Sequence, residues 1–398
     1  MALIPGISLA ATAGTTITVS TNAGKPVFSP DGSTAYVVGT TTGQVVAIDV
    51  ASASASPLPN TIPGSNGGAG WGLGISPDGR RLYATGFDAN TLSVLRADTG
   101  AAIGSPITVG NRPGALAVSP DGSMVFIANW SSNDISFVDG DVAGASVVRT
   151  GTSAQARDLV VSPDGLHLYA AVSGTELLQI KISDGSIVRR ITTGGDPTAV
   201  AITPDGTTLI VANESTDDVT FIRTSDWSTS QLAVGDEPYG VAITPNGRTA
   251  YISNHRAGTI SVVDLASRTV TDVVVAGPNP WQSAVSPLGT RLYVGRMSGP
   301  QVFTFEIEGG GSGGDSGGSG VGTEGSGPRV AMQQFAVPSG TTSDRCAALV
   351  PKHVDWLGLE GHREVGWGLS YAEWPNEGQG GFVCGRDVRW TGTTWVIS

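Results

Sequence analysis

One position of the chain, repeated seven times, collects residue types that could bind a ligand. It lies five residues before the Ser or Thr of a recurring turn and is held by Gly24, Trp71, Gly114, Arg157, Thr198, Tyr239 and Trp281. Lys25, Asp158 and Gln282 each follow one of these residues. Aromatic faces beside charged groups suit stacking on a sugar or peptide. We therefore predict a ligand-binding rim of Trp71, Arg157, Asp158, Tyr239 and Trp281; the alternative is that these rings pack between neighbouring repeats.

The recurring turn from which these positions are counted is the tetrapeptide Ser/Thr-Pro-Asp-Gly or a close variant of it. Its final glycines are Gly32, Gly79, Gly122, Gly165, Gly206, Gly247 and Gly289, which lie 41 to 47 residues apart. Proline fixes φ near −65° in such a turn, Asp or Asn bonds the backbone, and Gly takes a positive φ. Seven repeats of about forty residues predict a β-propeller.

Each repeat contains four short apolar or β-branched segments, as a four-stranded blade requires. The seventh repeat lacks its fourth segment, because the chain runs from Glu308 into glycine, whereas "TTITVSTNAGKP" near the N-terminus matches the fourth segment of other repeats. We expect residues 15–21 to complete blade seven and so close the ring without an open sheet edge. The predicted fold is all-β: a seven-bladed propeller over residues 1–308, closed by an N-terminal strand.

The strand sequences also carry a family resemblance. "AYVVGT", "LYVGRM" and "IVANESTDDVTFI" resemble the YVTN family of bacterial β-propeller repeats, over residues 15–308. That resemblance implies the propeller fold and a setting among surface-layer and secreted proteins. It does not assign a function, since one scaffold carries binding proteins and enzymes alike.

Enzymatic motifs are scarce in this sequence. The propeller contains two histidines, His167 and His255, in different repeats, and no cysteine, so we predict no metal site and no cofactor. Neither a GxSxG elbow nor a phosphate-binding loop in the required context is present. The net charge of −12 argues against a nucleic-acid partner, and no apolar run is long enough to span a membrane. The sequence therefore favours a protein that is not an enzyme.

Two further segments follow the propeller. Residues 309–328 are rich in Gly and Ser and predict a flexible linker. Residues 329–398 predict a small, mainly β module with five tryptophans, stapled by a disulfide between Cys346 and Cys384. We expect Trp367, Trp374 and Trp390 to be exposed for ligand contact; the alternative is that all five rings form the core. We interpret four polar residues of this module as surface residues, and the alternative is that they are metal ligands or an acid/base set: His353, Asp355, His362 and Glu364.

These features lead to three functional hypotheses. The first is an extracellular binding protein on a bacteriophage particle or a bacterial surface, whose C-terminal module resembles terminal binding domains of phage tail or adhesion proteins. It would contact a cell-surface glycan or protein and other subunits of the virion or surface structure. The second is a secreted propeller hydrolase or lactonase acting at the channel mouth. The third is a purely structural decoration protein. The sequence favours the first.

Overall fold

The computed structural model describes residues 11–19, 22–63, 72–140, 147–152, 154–307, 380–383, 386–390 and 395–397. The chain divides into two units, Met1–Gly310 and Gly311–Ser398, and each is described by itself. Every regular element of the described residues is a β-strand, as the sequence predicts.

The first unit is a ring of seven four-stranded antiparallel sheets. Blade one is formed by β2 (Val27–Phe28), β3 (Thr34–Val38), β4 (Gln44–Asp49) and β5 (Ser54–Thr61). Blade two is formed by β6 (Leu73–Ile75), β7 (Arg81–Gly86), β8 (Thr91–Arg96) and β9 (Ile107–Thr108). Blade three is formed by β10 (Pro113–Val118), β11 (Met124–Asn129), β12 (Asp134–Asp139) and β13 (Val147–Gly151).

Blades four to six repeat this order. Blade four is formed by β14 (Ala156–Val161), β15 (His167–Val172), β16 (Glu176–Lys181) and β17 (Ile187–Thr192). Blade five is formed by β18 (Pro197–Ile202), β19 (Thr208–Asn213), β20 (Asp218–Arg223) and β21 (Thr229–Ala233). Blade six is formed by β22 (Pro238–Ile243), β23 (Thr249–Asn254), β24 (Thr259–Asp264) and β25 (Thr269–Val275). The first strands of consecutive blades from three to seven contact one another, which places them on the inside of the ring.

Blade seven joins the two ends of the ring, as predicted. It is formed by β26 (Pro280–Val285), β27 (Arg291–Arg296), β28 (Gln301–Ile307) and the N-terminal β1 (Ala11–Thr18). β1 pairs antiparallel with β28, and Ile17 lies opposite Val302. The strand begins and ends earlier than the predicted residues 15–21, because its partner β28 continues to Ile307, which lies opposite Ala11, past an irregular register between Ala13 and Thr16.

The repeated turn explains why the sequence repeats. In the first blade the Gly32 amide donates to the Ser29 carbonyl, and the Ser29 hydroxyl donates to Asp31. Gly32 has φ of 70°, a left-handed conformation that side chains disfavour. Between blades, apolar side chains of the second and third strands form the core, and large ones such as Tyr83, Phe126 and Tyr251 are fully buried. The residue types at the turn and core positions are therefore similar in every repeat, while those in the loops can vary.

The second unit is described only by three strands at the C-terminus. They are β29 (Gly380–Val383), β30 (Arg386–Trp390) and β31 (Trp395–Ile397), which form an antiparallel sheet in which Trp390 lies opposite Trp395. The hairpin predicted for this segment is present. Cys346 and Cys384 lie outside the described residues, so the disulfide stays a prediction.

Candidate active site

A cavity of about 220 Å³ lies on the axis of the ring. Its walls come from blades one, three, four, five, six and seven, and only a point near the axis can be reached from six blades. The structure brings four of the five predicted rim residues into this cavity: Arg157, Asp158, Tyr239 and Trp281. The fifth, Trp71, lies outside the described residues. Lys25 and Gln282, which flank the same repeated position, also line it.

These side chains meet because each stands at the start of an innermost strand. Arg157 and Asp158 belong to β14, Tyr239 to β22, and Trp281 to β26. Trp281 fits both predictions for these rings, contact with a ligand and packing between repeats, since it lines the cavity yet is only 3% exposed. Its ring therefore packs between blades and forms part of the wall.

A second ring of residues, which the sequence analysis missed, supplies Trp130 and Glu214 to the cavity. Each directly follows the second strand of its blade and lies eight residues after the final glycine of the turn. The residues at that count in the seven blades are Thr40, Phe87, Trp130, Ser173, Glu214, His255 and Met297. The Glu214 amide donates to the Asp196 carbonyl at 3.0 Å, and the Trp130 amide donates in the same way to Arg112 at 2.9 Å. The same backbone bond is made in blades one, three, four, five, six and seven, where it aims a different side chain in each, and alignment of the second strands would have found Glu214.

The strand end beside Glu214 is fixed by a buried amide. Asn213 Nδ2 donates to Asp218 Oδ1 at 2.6 Å and to Thr220 Oγ1 at 2.9 Å. A Cβ on Gly194 would lie 2.7 Å from the amide carbon of Asn213, so this close approach requires glycine. The hydrogen bonds and the close packing hold the loop that presents Glu214.

The central polar contact of the cavity joins blades four and five. Arg157 Nη1 donates to Glu214 Oε2 at 2.7 Å, and Arg157 Nε donates to Ser173 Oγ at 3.1 Å. Both charged side chains are about one quarter exposed, at 26% and 27%. The carboxylate is therefore partly shielded but open to the cavity, where it can accept a proton from a bound molecule, and the guanidinium can stabilise negative charge.

A second ion pair crosses the ring. Lys25 Nζ of blade one lies 3.5 Å from Asp158 Oδ1 of blade four, and two blades separate them on the shorter path. Asp158 is 2% exposed, and its Oδ2 accepts the Val200 amide at 3.1 Å. Burial of a carboxylate needs such partners. The pair therefore spans the axis beside the cavity with its charges matched.

Tyr239 lies against the same carboxylate. Burial, the charge of Glu214 and the hydrogen bond to that carboxylate together raise the pKa of Tyr239 to about 12, so the phenol remains a donor. Its ring centroid lies 5.1 Å from that of His255. The hydroxyl thus donates to Glu214 from a third blade.

The remaining predictions concern metal binding, the C-terminal module and membrane spanning. Among the described residues, no three His, Cys, Asp or Glu side chains are grouped as a metal ion requires. Trp367 and Trp374 lie outside the described part of the chain, as do His353, Asp355, His362 and Glu364. Trp390 is placed on β30 by its backbone alone. No helix in the described residues is long and apolar enough to cross a membrane.

Comparison with known proteins identifies the family. Residues 12–157 and 145–234, together more than half of the chain, match the family described as "Lactonase, 7-bladed beta-propeller". The chain belongs to this family. Among solved structures it is similar to Kuenenia stuttgartiensis hydrazine synthase, with a TM-score of 0.65 and 21% identity over 77% of this chain and 99% of that one, which is a likeness of fold. No curated protein matches.

The family match overturns the expectation that this protein is not an enzyme. That expectation rested on the absence of local motifs. In this propeller the polar groups of the cavity come from different blades, and Arg157 and Glu214 are 57 positions apart in sequence. No short motif records such a site, because the ring, rather than one loop, assembles it.

Proposed function

We propose that this protein is a lactone hydrolase whose active site is the axial cavity. The observation that carries the proposal is the Arg157–Glu214 pair at 2.7 Å, one quarter exposed in a cavity of a lactonase-family propeller. This is the hydrolase alternative considered from the sequence, placed now on particular residues.

The groups present are those that ring opening of a lactone needs. Glu214 accepts a proton from a water molecule, and the resulting hydroxide attacks the lactone carbonyl carbon. Remaining N–H groups of Arg157, together with the Lys25 ammonium, stabilise the negative charge that develops on the carbonyl oxygen. The bond between the carbonyl carbon and the ring oxygen then breaks, and Glu214 returns its proton to that oxygen. The products are one carboxyl and one hydroxyl group on the same molecule.

The size and walls of the cavity favour a substrate with one ring. An apolar cavity of about 150 Å³ holds benzene, so the cavity seen here, of about 220 Å³, has room for a monocyclic lactone with small substituents. Trp130, Tyr239 and Trp281 offer aromatic surface against which such a ring can lie.

Glu214→Gln tests the proposal, because the amide keeps the shape and loses the base. We expect turnover of the monocyclic lactones δ-valerolactone and γ-butyrolactone, followed by acid release, to fall by about 10²- to 10⁴-fold. Glu176→Gln is the matched control, since Glu176 pairs with Arg190 at 2.8 Å outside the cavity. Equal rates in wild type and Glu214→Gln, or no turnover of either lactone by wild type, would refute the proposal.

The binding role of the C-terminal module stays a prediction, with Trp367, Trp374 and Trp390 as its contacts and a glycan or protein as its partner. The virion or cell-surface location stays a prediction as well.

A further inference from the structure

Asp196, which does not line the cavity, connects both members of the Arg157–Glu214 pair. It lies between β17 and β18, directly before Pro197. Its carbonyl accepts the Glu214 amide at 3.0 Å, and its Oδ1 lies 3.9 Å from Arg157 Nη2. One residue therefore contacts the backbone of the proposed base and the guanidinium that faces it.

The conformation of Asp196 is held on both sides. Its φ is 50°, in the left-handed region, which costs energy for a residue with a side chain, although Asp and Asn tolerate it better than most. The Asp196 amide donates to the Gly174 carbonyl at 2.7 Å, and Asp196 Oδ1 accepts the Gly174 amide at 3.2 Å. These two bonds to one glycine fix the corner from which the carbonyl and carboxylate project.

The same corner in other blades carries side chains with other partners. Arg112, Glu237 and Asn279 share the left-handed φ and precede proline, and each carbonyl accepts the amide that follows the second strand. Arg112 lies over the Phe87 ring, Glu237 pairs with Arg256, and Asn279 donates to Ser298. The backbone role is thus general to the fold, while the contact with Arg157 is particular to Asp196.

We propose that Asp196 is a positioning residue for the Arg157–Glu214 pair, an inference that rests on the proposed function. Its carbonyl, by accepting the Glu214 amide, fixes how far the Glu214 side chain projects into the cavity. Its carboxylate attracts Arg157 Nη2 away from Glu214, so that the guanidinium donates to the base through Nη1 alone. Reacting groups need this accuracy, since a displacement of about 1 Å can cost 10²-fold in rate.

Three variants separate positioning from general stability. Asp196→Gly removes the side chain and keeps access to the left-handed φ, Asp196→Asn keeps the bond to Gly174 and removes the charge, and Asn279→Gly makes the matched change at a corner that does not contact Arg157. We expect kcat on δ-valerolactone to fall by about 10- to 100-fold in Asp196→Gly and by a smaller but measurable factor in Asp196→Asn, which keeps the corner and loses the attraction to Arg157 Nη2, with KM changed little. Asn279→Gly should retain kcat within about 2-fold.

A second readout does not depend on turnover. The Arg157 Nε–H resonance of the ¹⁵N-labelled full chain, assigned by its loss in Arg157→Lys, should shift and exchange faster with water in Asp196→Gly but not in Asn279→Gly. An unchanged resonance in Asp196→Gly, or equal loss of kcat at the two corners, would overturn the inference. Failure of the proposed function gives a different pattern: no lactone turnover that depends on Glu214, while the resonance still reports whether Asp196 positions Arg157.

Discussion

Closure of the ring by β1 makes Ile17 a residue on which the whole propeller depends. Ile17 is 4% exposed and packs with Val37, Val46 and Ile48 of blade one, while its backbone pairs with blade seven. It therefore joins the first and last blades. Ile17→Ala leaves the strand pairing intact and removes the apolar atoms that fill the space between these blades.

The expected cost follows from the burial of this side chain. Truncation of a buried Ile to Ala costs about 2–5 kcal/mol, from lost transfer free energy and from the cavity left behind. Each 1 kcal/mol lowers the melting temperature by about 2–4 °C in a domain of 150–250 residues, and by less in a larger one. The melting temperature of the propeller should therefore fall by about 5–10 °C.

Thr18→Ala is the matched control, because Thr18 is the next residue of the same strand and is exposed. Its melting temperature should stay within about 1–2 °C of wild type. Scanning calorimetry of the full chain gives both values. Equal melting temperatures for Ile17→Ala and Thr18→Ala would refute the argument that β1 is a packed part of the ring.

Three further predictions concern the turns and the C-terminal module. Burial opposes ionisation of four turn carboxylates, Asp31, Asp78, Asp121 and Asp205, but hydrogen bonds from the turn outweigh burial and lower the pKa of each below 3.8. The ionised carboxylates therefore stabilise the folded protein above pH 3.8, and this contribution is lost as the pH falls through the lowered pKa values. Asn246 makes the same bonds in blade six through a neutral oxygen, so the fourfold Asp→Asn variant should keep the turns, be less stable than wild type at pH 7, and lose less free energy of unfolding between pH 5 and pH 2 in urea titrations; a parallel pH dependence would contradict this. Leu288, 53% exposed, replaces the turn Asp in blade seven, and Leu288→Asp should add about 0.5–1.5 kcal/mol and raise the melting temperature, whereas Leu288→Ala should not. Finally, Cys346 and Cys384 should resist alkylation in the unreduced full chain, and two labelled thiols in the mass spectrum would disprove the disulfide.

The sequence predicts the fold of the propeller because its turn chemistry is local. Proline, Asp and Gly determine each turn within four residues, so counting turns counts blades, and the unpaired fourth segment of blade seven indicates where the N-terminus must lie. The predicted strand at residues 15–21 was displaced, since β1 runs from Ala11 to Thr18. The irregular register near Ala13 depends on β28, which no local pattern near the N-terminus records.

The cavity could be predicted only in part, because its two rings of residues have different origins. Arg157, Asp158, Tyr239 and Trp281 stand at a fixed count from the turn, and alignment on the turn finds them. Glu214 also stands at a fixed count, eight residues after the turn glycine Gly206, but the seven equivalent positions hold seven different residue types, and Glu214 meets Arg157 only because blades four and five are neighbours. The absence of a local motif was therefore weak evidence against catalysis.

The repeated corner before the first strand shows how one scaffold can acquire a site without losing its fold. In blades three, five, six and seven the same carbonyl holds the residue after the second strand, so that residue can change without cost to the backbone. It is Trp130 in blade three, Glu214 in blade five, His255 in blade six and Met297 in blade seven. Because the axis brings these positions together, a site needs only the appropriate side chains in neighbouring blades, and the proposed site uses Arg157 and Glu214. In the proposed function, the reacting groups are therefore residues that the repeat leaves variable, and the fixed residues hold them in place.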